Sequence, residues 1–115
     1  MTNAAAVSVL LLADRPDLMD AVGAVGLGEF DLEERRDRSP WVLGLIVRTD
    51  RRGAGIGRAL LARIDSFAAG RGDARVWVAT GDRAVAFYRR CGWRLEERLR
   101  PASGPETNVL SRQPY

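Results

Sequence analysis

The sequence predicts an α/β (α+β) fold in one domain, built on a mixed, partly parallel, twisted sheet that is flanked by helices. Its 115 residues suit a single hydrophobic core. Apolar runs of strand length alternate along the chain with segments of helical periodicity. One such helical segment separates Trp41–Val47 from Arg75–Thr80, which predicts a right-handed parallel βαβ unit. A last apolar run, Thr107–Arg112, is expected to return to the same sheet.

The first two elements are predicted to be a strand and a helix. Val7–Leu12 is an apolar run with β-branched residues, which is typical of a buried strand. Asp14 can cap a helix with Pro16 in its first turn, and apolar residues from Leu18 to Val25 share one helical face. Glycines are expected to end that helix early, at Gly23, Gly26 and Gly28.

The middle of the chain is predicted to hold a loop, a strand and a turn. Glu29–Pro40 is mostly charged and is expected to form a loop. Trp41–Val47 is an apolar strand, and Gly44 within it indicates a bulge or a close backbone approach. Arg48–Gly55 is polar and rich in glycine, which predicts a turn.

Two helices are predicted in the second half. Apolar residues from Ile56 to Ala68 recur at helical spacing, and Gly70 is the expected end of that helix. Ala84–Cys91 has the pattern of a short amphipathic helix that ends at Gly92. Strands are predicted between and after these helices, at Arg75–Thr80, Trp93–Glu97 and Thr107–Arg112.

Composition excludes several kinds of chemistry. The chain has no histidine, which excludes a Ser-His-Asp triad and a histidine-ligated metal. Cys91 is the only cysteine, so an intrachain disulfide and a cysteine-based zinc cluster are excluded. All 18 basic residues are arginine, which removes Schiff-base chemistry and the lysine of a Walker A loop. We expect no metal site.

Charge and hydropathy point to a soluble protein with an anionic ligand. The net charge is +3, but the arginines are interleaved with 15 acidic residues and no aromatic-basic stripe accompanies them. Nucleic-acid binding is therefore the weaker interpretation. No apolar run is long enough to span a membrane and no signal-peptide pattern is present, so we expect a cytoplasmic location without a membrane partner.

The junction between Trp41–Val47 and the following helix carries the strongest functional signal. Three glycines there allow successive backbone N–H groups to converge, and the helix N-terminus adds unpaired donors and partial positive charge. Arg51, Arg52 and Arg58 add formal charge. These features predict a site for a diphosphate or triphosphate. Neither a Walker A loop nor the G-x-G-x-x-G of a dinucleotide fold matches the spacing.

A third pattern, R/Q-x-x-G-x-G/A, fits at Arg52, Gly55 and Gly57, and it resembles the acyl-CoA loop of the GCN5-related N-acetyltransferases (GNAT). The resemblance extends to A-V-A-F-Y-R-R-C-G-W, Ala84 to Trp93, which is similar to the family's motif A-x-x-F-Y-x-x-x-G-F/W. It covers about Trp41 to Glu97 and implies an acyl-CoA N-acyltransferase-like fold.

The resemblance implies acetyl-CoA as co-substrate and no metal. The pantetheine arm would lie between two splayed parallel strands and hydrogen-bond to one of them. Backbone groups of Leu45, Ile46 and Val47 would contact pantetheine. Main-chain N–H groups of the loop would hold the pyrophosphate, and Arg52 would brace that loop. The loop residues assigned in this way are Gly53, Ala54, Gly55, Ile56, Gly57 and Arg58.

The same resemblance assigns catalysis to Tyr88. Its phenol would protonate or stabilise the departing thiolate, while a backbone N–H between Gly44 and Ile46 would polarise the thioester carbonyl. The general base stays open between a water relay and Glu29, Glu33 or Glu34, whose charged run is more simply a solvated surface. Cys91 lacks an activating histidine and is expected to be a small packing residue.

Two departures from the family pattern are expected to matter. Gly81 stands where the second motif usually begins with asparagine, and Thr80 could replace its contact. Only Glu29–Pro40 is available where two further strands are usual, so we expect the second and third strands to be missing. That would expose one edge of the Trp41–Val47 strand, to be covered by the first strand or by a second copy in a homodimer.

The functional hypothesis is therefore an acetyl-CoA-dependent N-acetyltransferase that acts on a primary amine of a small molecule or peptide by direct attack on the thioester. Two alternatives stay open. One is a non-catalytic acyl-CoA-binding module with a curtailed acceptor site, and the other is a basic nucleic-acid-binding domain.

Overall fold

The computed structural model describes residues 8–13, 21–53 and 55–114. They form a six-stranded mixed sheet with two helices. The strands are β1 (Ser8–Ala13), β2 (Ala21–Gly28), β3 (Trp41–Val47), β4 (Val76–Thr80), β5 (Arg94–Leu99) and β6 (Thr107–Arg112), and the helices are α1 (Ile56–Arg71) and α2 (Asp82–Arg90). The sheet order is β1-β2-β3-β4-β6-β5, with β3 and β4 parallel and every other neighbouring pair antiparallel. The predicted mixed sheet and its parallel βαβ unit are confirmed.

The predicted helix between Asp14 and Val25 is wrong over its described part, because Ala21–Gly28 is strand β2. Val25 and Leu27 are both fully buried, so the apolar pattern has the period of two that a strand requires. Gly23 lets β2 lie close to β3 and α1, because a Cβ on this residue would lie 2.9 Å from the carbonyl oxygen of Ile46 and 3.0 Å from Leu60 Cδ1. Residues 14–20 lie outside the described part of the chain.

Strand β2 also overturns the expected gap in the sheet. It pairs with β3 from Gly28↔Trp41 to Gly23↔Val47, and on its other side it pairs with β1. Strand β1 was predicted, whereas β2 was not, and together they place two antiparallel strands before the central strand. The edge of β3 is thus covered by β2 of the same chain, and homodimer formation stays a prediction.

The bulge predicted at Gly44 is present. Ala24 pairs with Ile46 and Gly26 with Leu43, so β3 holds one more residue than β2 between these pairs. Gly44 adopts φ +60°, a left-handed conformation that glycine reaches without strain. The extra residue reverses the alternation of side chains, so that Leu45 and Val47 pack on the helix side whereas Ile46 is exposed.

Helices α1 and α2 pack on one face of the sheet, where most of the core lies. Val42, Val76 and Val78 meet Leu60 and other α1 residues there. The opposite face carries a smaller cluster in which Trp41, Leu32 and Val109 are buried. No helix among the described residues is long and apolar enough to cross a membrane.

The loop that connects β2 and β3 crosses this second face. Leu32 inserts into its cluster, and Arg35 donates two hydrogen bonds of 2.6 Å to the carboxylate of Glu97 on β5. Arg38 reaches the same carboxylate at 2.8 Å and lies 4.5 Å above the ring of Trp77. The hydrogen bonds from Arg35 hold the pKa of Glu97 below its usual value. The loop is therefore held against the sheet by the apolar contact of Leu32 and by the ion pairs of Arg35 and Arg38 with Glu97.

Helix α1 ends two residues later than the sequence indicated. Gly70 lies within the helix, and the stop is Gly72, which has φ +82° and donates its N–H to the carbonyls of Ala68 and Ala69. This is the left-handed glycine that ends many helices. The predicted stop of α2 at Gly92 agrees with its φ of +90°.

Alanine substitutions at the two glycines should therefore have opposite effects. Gly70→Ala should raise the free energy of unfolding by about 0.5–1 kcal/mol, because the site is helical and nothing lies within 4 Å of the added Cβ. Gly72→Ala should lower it by about 1 kcal/mol, because alanine disfavours the left-handed conformation. Urea unfolding measures both, and equal effects of the two substitutions would contradict this assignment of the helix end.

Candidate active site

The turn between β3 and α1 presents open backbone at the start of the helix. Gly53 and Gly55 adopt φ +86° and +80°, and no atom lies within 4 Å of the position of a Cβ on either residue. Gly55 is the N-cap, no side chain caps the helix, and its first turn contains no acidic residue. The first backbone N–H groups of α1 are thus left to bind an external anion.

A groove of about 640 Å³ runs along this turn, and we call it the loop groove. All of the described residues that the sequence analysis assigned to the co-substrate line it. Phe87 and Arg90 of α2 form its other wall. The assigned residues are Leu45, Ile46, Val47, Arg52, Gly53, Gly55, Ile56, Gly57 and Arg58, whereas Ala54 lies outside the described residues.

Two arginines in the loop groove keep their positive charge available. Arg52 donates a long hydrogen bond of 3.4 Å to the carbonyl of Val47, which agrees with a bracing role. Arg58 contacts the carbonyl of Arg90 at 3.3 Å. Both side chains are exposed, and neither forms an ion pair with a described residue. They add formal charge beside the helix N-terminus.

A second cavity of about 320 Å³ opens between β3 and β4, and we call it the strand slot. The two strands share the single registered pair Trp41↔Trp77, supported by the hydrogen bond from the Trp77 N–H to the Pro40 carbonyl at 2.9 Å. Beyond that pair they separate. The slot is lined by Asp31, Val42, Leu43, Gly44, Leu45, Val78, Ala79, Thr80, Ala84, Phe87 and Tyr88.

The loop groove and the strand slot adjoin, since Leu45 and Phe87 line both. Helix α1 approaches α2 closely at this junction, because a Cβ on Gly57 would lie 3.0 Å from Phe87 Cζ. Gly57 thereby lets Phe87 form a wall common to both cavities. The open glycines and the space between the strands thus belong to two neighbouring cavities.

Tyr88 lies in the wall of the strand slot. Its side chain is 4% exposed and packs edge-on between Phe87 and Trp93, with ring centroids 5.3 and 5.4 Å away. Burial, with a smaller contribution from Cys91, raises the pKa of Tyr88 to about 12. The phenol therefore holds its proton throughout the neutral range and can only donate it there.

The carboxylates that the sequence analysis considered as bases lie elsewhere. Glu33 pairs with Arg36 at 3.0 Å on the surface, and Glu34 accepts the backbone N–H of Ala102 at 2.9 Å. Neither these residues nor Glu29 line the loop groove or the strand slot. Asp31 does line the slot, and sequence reasoning missed it. No signal in the sequence distinguishes Asp31 from the rest of the charged run.

The structure also places Cys91, Thr80 and Gly81, which the sequence analysis considered for other roles. Cys91 is partly buried against the core after the end of α2. Thr80 lines the strand slot, whereas Gly81 is exposed at the start of α2 without a side chain to contribute. No group of metal-ligating side chains occurs among the residues that the structure describes.

The raised pKa of Tyr88 predicts a specific loss of stability in alkali. Above pH 10 the unfolded chain releases the phenol proton while the folded chain retains it up to about pH 12. The free energy of unfolding should therefore fall by about 1.4 kcal/mol per pH unit in this window, and Tyr88→Phe should lack this component. Urea unfolding of both proteins between pH 9 and 11.5 measures the difference, and parallel curves would contradict a buried phenol.

Comparisons with known proteins identify the family. The model of the acetyltransferase (GNAT) domain matches residues 8–95. The fold is similar to that of an aminoglycoside 6'-N-acetyltransferase solved with coenzyme A, with a TM-score of 0.78 and 15% identity over 95% of this chain and 73% of that one.

Two further solved structures are similar. One is a spermidine N-acetyltransferase chimera derived in part from Vibrio cholerae, with a TM-score of 0.72 and 17% identity over 94% of this chain and 67% of that chain. The other is nourseothricin acetyltransferase, with a TM-score of 0.68 and 27% identity over 84% of this chain and 59% of that chain. No curated protein sequence matches significantly. Since the domain model covers most of the chain, from β1 to β5, this protein belongs to the GNAT acetyltransferase family.

Proposed function

We propose that this protein is an acetyl-CoA-dependent N-acetyltransferase that transfers the acetyl group to a primary amine of a small molecule or peptide by direct attack on the thioester. The observation that carries the proposal is that the loop groove and the strand slot adjoin. An open glycine turn suited to an anion lies in the groove, and a protonated phenol lies in the wall of the slot. Membership of the GNAT family supports the same activity.

The loop groove suits the diphosphate of coenzyme A. Backbone N–H groups of Gly55 and of the first turn of α1 would bind its oxygens, and Arg58 would add charge. The open space over Gly53 and Gly55 is needed, because phosphate oxygens must approach the backbone closely. A Cβ would obstruct that approach.

The strand slot suits the thioester end. Where β3 parts from β4, backbone groups of Leu45, Ile46 and Val47 are available to pair with the amides of pantetheine. The bulge at Gly44 lies in the wall of the slot, where a backbone N–H near that residue would stabilise negative charge on the thioester oxygen.

Tyr88 would act on the sulfur. A free thiol has a pKa of about 8.5, which is below the value of about 12 for this phenol. A complete proton transfer from Tyr88 to an isolated thiolate would therefore be uphill. The phenol would instead donate a hydrogen bond to the sulfur as the carbon–sulfur bond breaks, and pass its proton only as the attacking amine loses one.

The solved structures suggest which acceptors to test. The printed names of three similar proteins specify an aminoglycoside, nourseothricin and spermidine. These probes, together with a peptide that has a free N-terminus, form a suitable acceptor panel. Homodimer formation and a cytoplasmic location stay predictions.

Binding of coenzyme A is the first test. At one hundred times its Kd, coenzyme A should stabilise the protein by about 2.7 kcal/mol in thermal unfolding. Arg58→Ala should raise the Kd about 3- to 10-fold for coenzyme A but leave pantetheine binding unchanged, because only the former carries phosphates. Arg63→Ala, at an exposed position on the same helix outside the groove, is the matched control. A protein that coenzyme A fails to stabilise would refute the proposal.

Catalysis by Tyr88 is the second test. Tyr88→Phe should lower kcat for acetyl transfer about 100-fold while the Kd of coenzyme A changes less than about 3-fold, because only the hydrogen bond to sulfur is lost. Cys91→Ala should retain kcat within about 3-fold, which separates direct attack from transfer through a cysteine. Release of free thiol from acetyl-CoA gives the rates. An unchanged kcat in Tyr88→Phe would remove the assigned role.

A further inference from the structure

The strand slot is lined by elements from both faces of the sheet. Tyr88 lines it from α2 and belongs to the core on the helix side. Asp31 lines it from the loop after β2, and its neighbour Leu32 belongs to the cluster on the opposite face. Two residues that line one cavity thus come from elements on different sides of the sheet.

The two adjoining cavities contribute different groups. The loop groove holds the open glycines, Leu45 and Phe87 line both cavities, and the strand slot adds Tyr88 and Asp31. If coenzyme A occupies the groove end, an acceptor has to enter at the other end to reach the thioester. Asp31 marks that end.

Asp31 differs from several charged residues of its loop. Glu33 is paired with Arg36, while Arg35 and Arg38 both bind Glu97. Asp31, like Asp37, forms no ion pair with a described residue, but of these two only Asp31 lines the strand slot, where its charge is available to a ligand. The residue is exposed, and partial burial of its carboxyl raises the pKa of that group.

The position of Asp31 is fixed by its neighbour. Leu32 is 9% exposed within the cluster around Trp41, and the Arg35–Glu97 pair anchors the loop three residues further on. The residues of β3 and β4 that line the slot carry no charge, and Tyr88 on α2 is the other titratable group in its lining. Asp31 is therefore the one carboxylate among the described residues that line the slot.

We propose that Asp31 binds the acceptor as an ammonium ion at the far end of the strand slot and takes one of its protons, which makes it a catalytic residue. This inference rests on the proposed acetyltransferase function. The ammonium gives a proton to the Asp31 carboxylate, which later releases it to water. The amine lone pair then forms the bond to the thioester carbon, and the carbon–sulfur pair leaves on sulfur. The second amine proton ends on sulfur, giving the amide and free coenzyme A.

The pH dependence of kcat/KM distinguishes this role. In the wild type, the reactive state combines the ionised carboxylate of Asp31 with the protonated amine of the acceptor. This state predominates between the pKa of Asp31 and that of the amine, so kcat/KM should not change with pH in this range. Asp31→Asn can only use the free amine, so its kcat/KM should rise about tenfold per pH unit over the same range. At pH 7 we expect a loss of at least about 50-fold, with the acetyl-CoA KM within about 2-fold.

The experiment measures thiol release between pH 6 and 9 with the acceptor panel of spermidine, an aminoglycoside, nourseothricin and a peptide with a free N-terminus. Asp37→Asn, an exposed residue of the same type on the same loop that lies outside the slot, should retain the wild-type profile. Thermal stabilisation by coenzyme A verifies that each variant is folded.

The outcomes separate the two proposals. A level wild-type profile with a rising Asp31→Asn profile supports the inference. If Asp31→Asn keeps the wild-type rate and profile, Asp31 is not the base and the acetyltransferase function stands. If the wild type binds coenzyme A but acetylates none of the panel, the proposed function fails, and the role of Asp31 fails with it.

Discussion

The parting of β3 from β4 is the constraint on which the candidate site depends. Parallel neighbours in a sheet normally satisfy each other's backbone groups along their whole length. Here a single registered pair, Trp41↔Trp77, holds the two strands together at one end. Backbone donors and acceptors beyond it face a cavity rather than a neighbouring strand. A ligand with amide groups can complete the ladder, which is why an extended arm such as pantetheine suits this fold better than a compact ligand does.

Gly44 makes this opening compatible with a packed core. The bulge adds one residue to β3 opposite β2, and the alternation of side chains reverses after it. Leu45 and Val47 consequently pack under the helices while Ile46 is exposed. Without the extra residue, Gly44 and Ile46 would point toward the helices instead, and the core beside α1 would have a glycine where it now has leucine. One left-handed glycine thus serves both the packing of the strand and the direction of its backbone toward the slot.

Local patterns could be predicted from the sequence, whereas contacts between distant segments could not. The strand Trp41–Val47, the turn before α1 and the helix of Tyr88 each carry their own signal in apolar spacing or glycine placement. Strand β2 was misassigned because its glycines weaken any helix or strand signal. Its identity depends on Leu60 and Ile46 packing against Gly23. Asp31 was missed for a similar reason, since nothing within the charged run indicates that Leu32 anchors it beside the slot.

The loop groove and the strand slot carry charges of opposite sign. The net charge of +3 carries little information, because most of the positive charge on the second face of the sheet is engaged. Arg35 and Arg38, for example, both bind Glu97. Among the residues that line the two cavities, Arg52 and Arg58 stand beside a helix N-terminus in the loop groove, and the carboxylate of Asp31 lies in the strand slot; none of the three forms an ion pair with a described residue. An anionic diphosphate would be attracted to the loop groove and a cationic amine to the strand slot, and each would be disfavoured at the other. If the proposed substrates bind in this way, the same arrangement would also orient them, with the thioester and the amine meeting beside Tyr88.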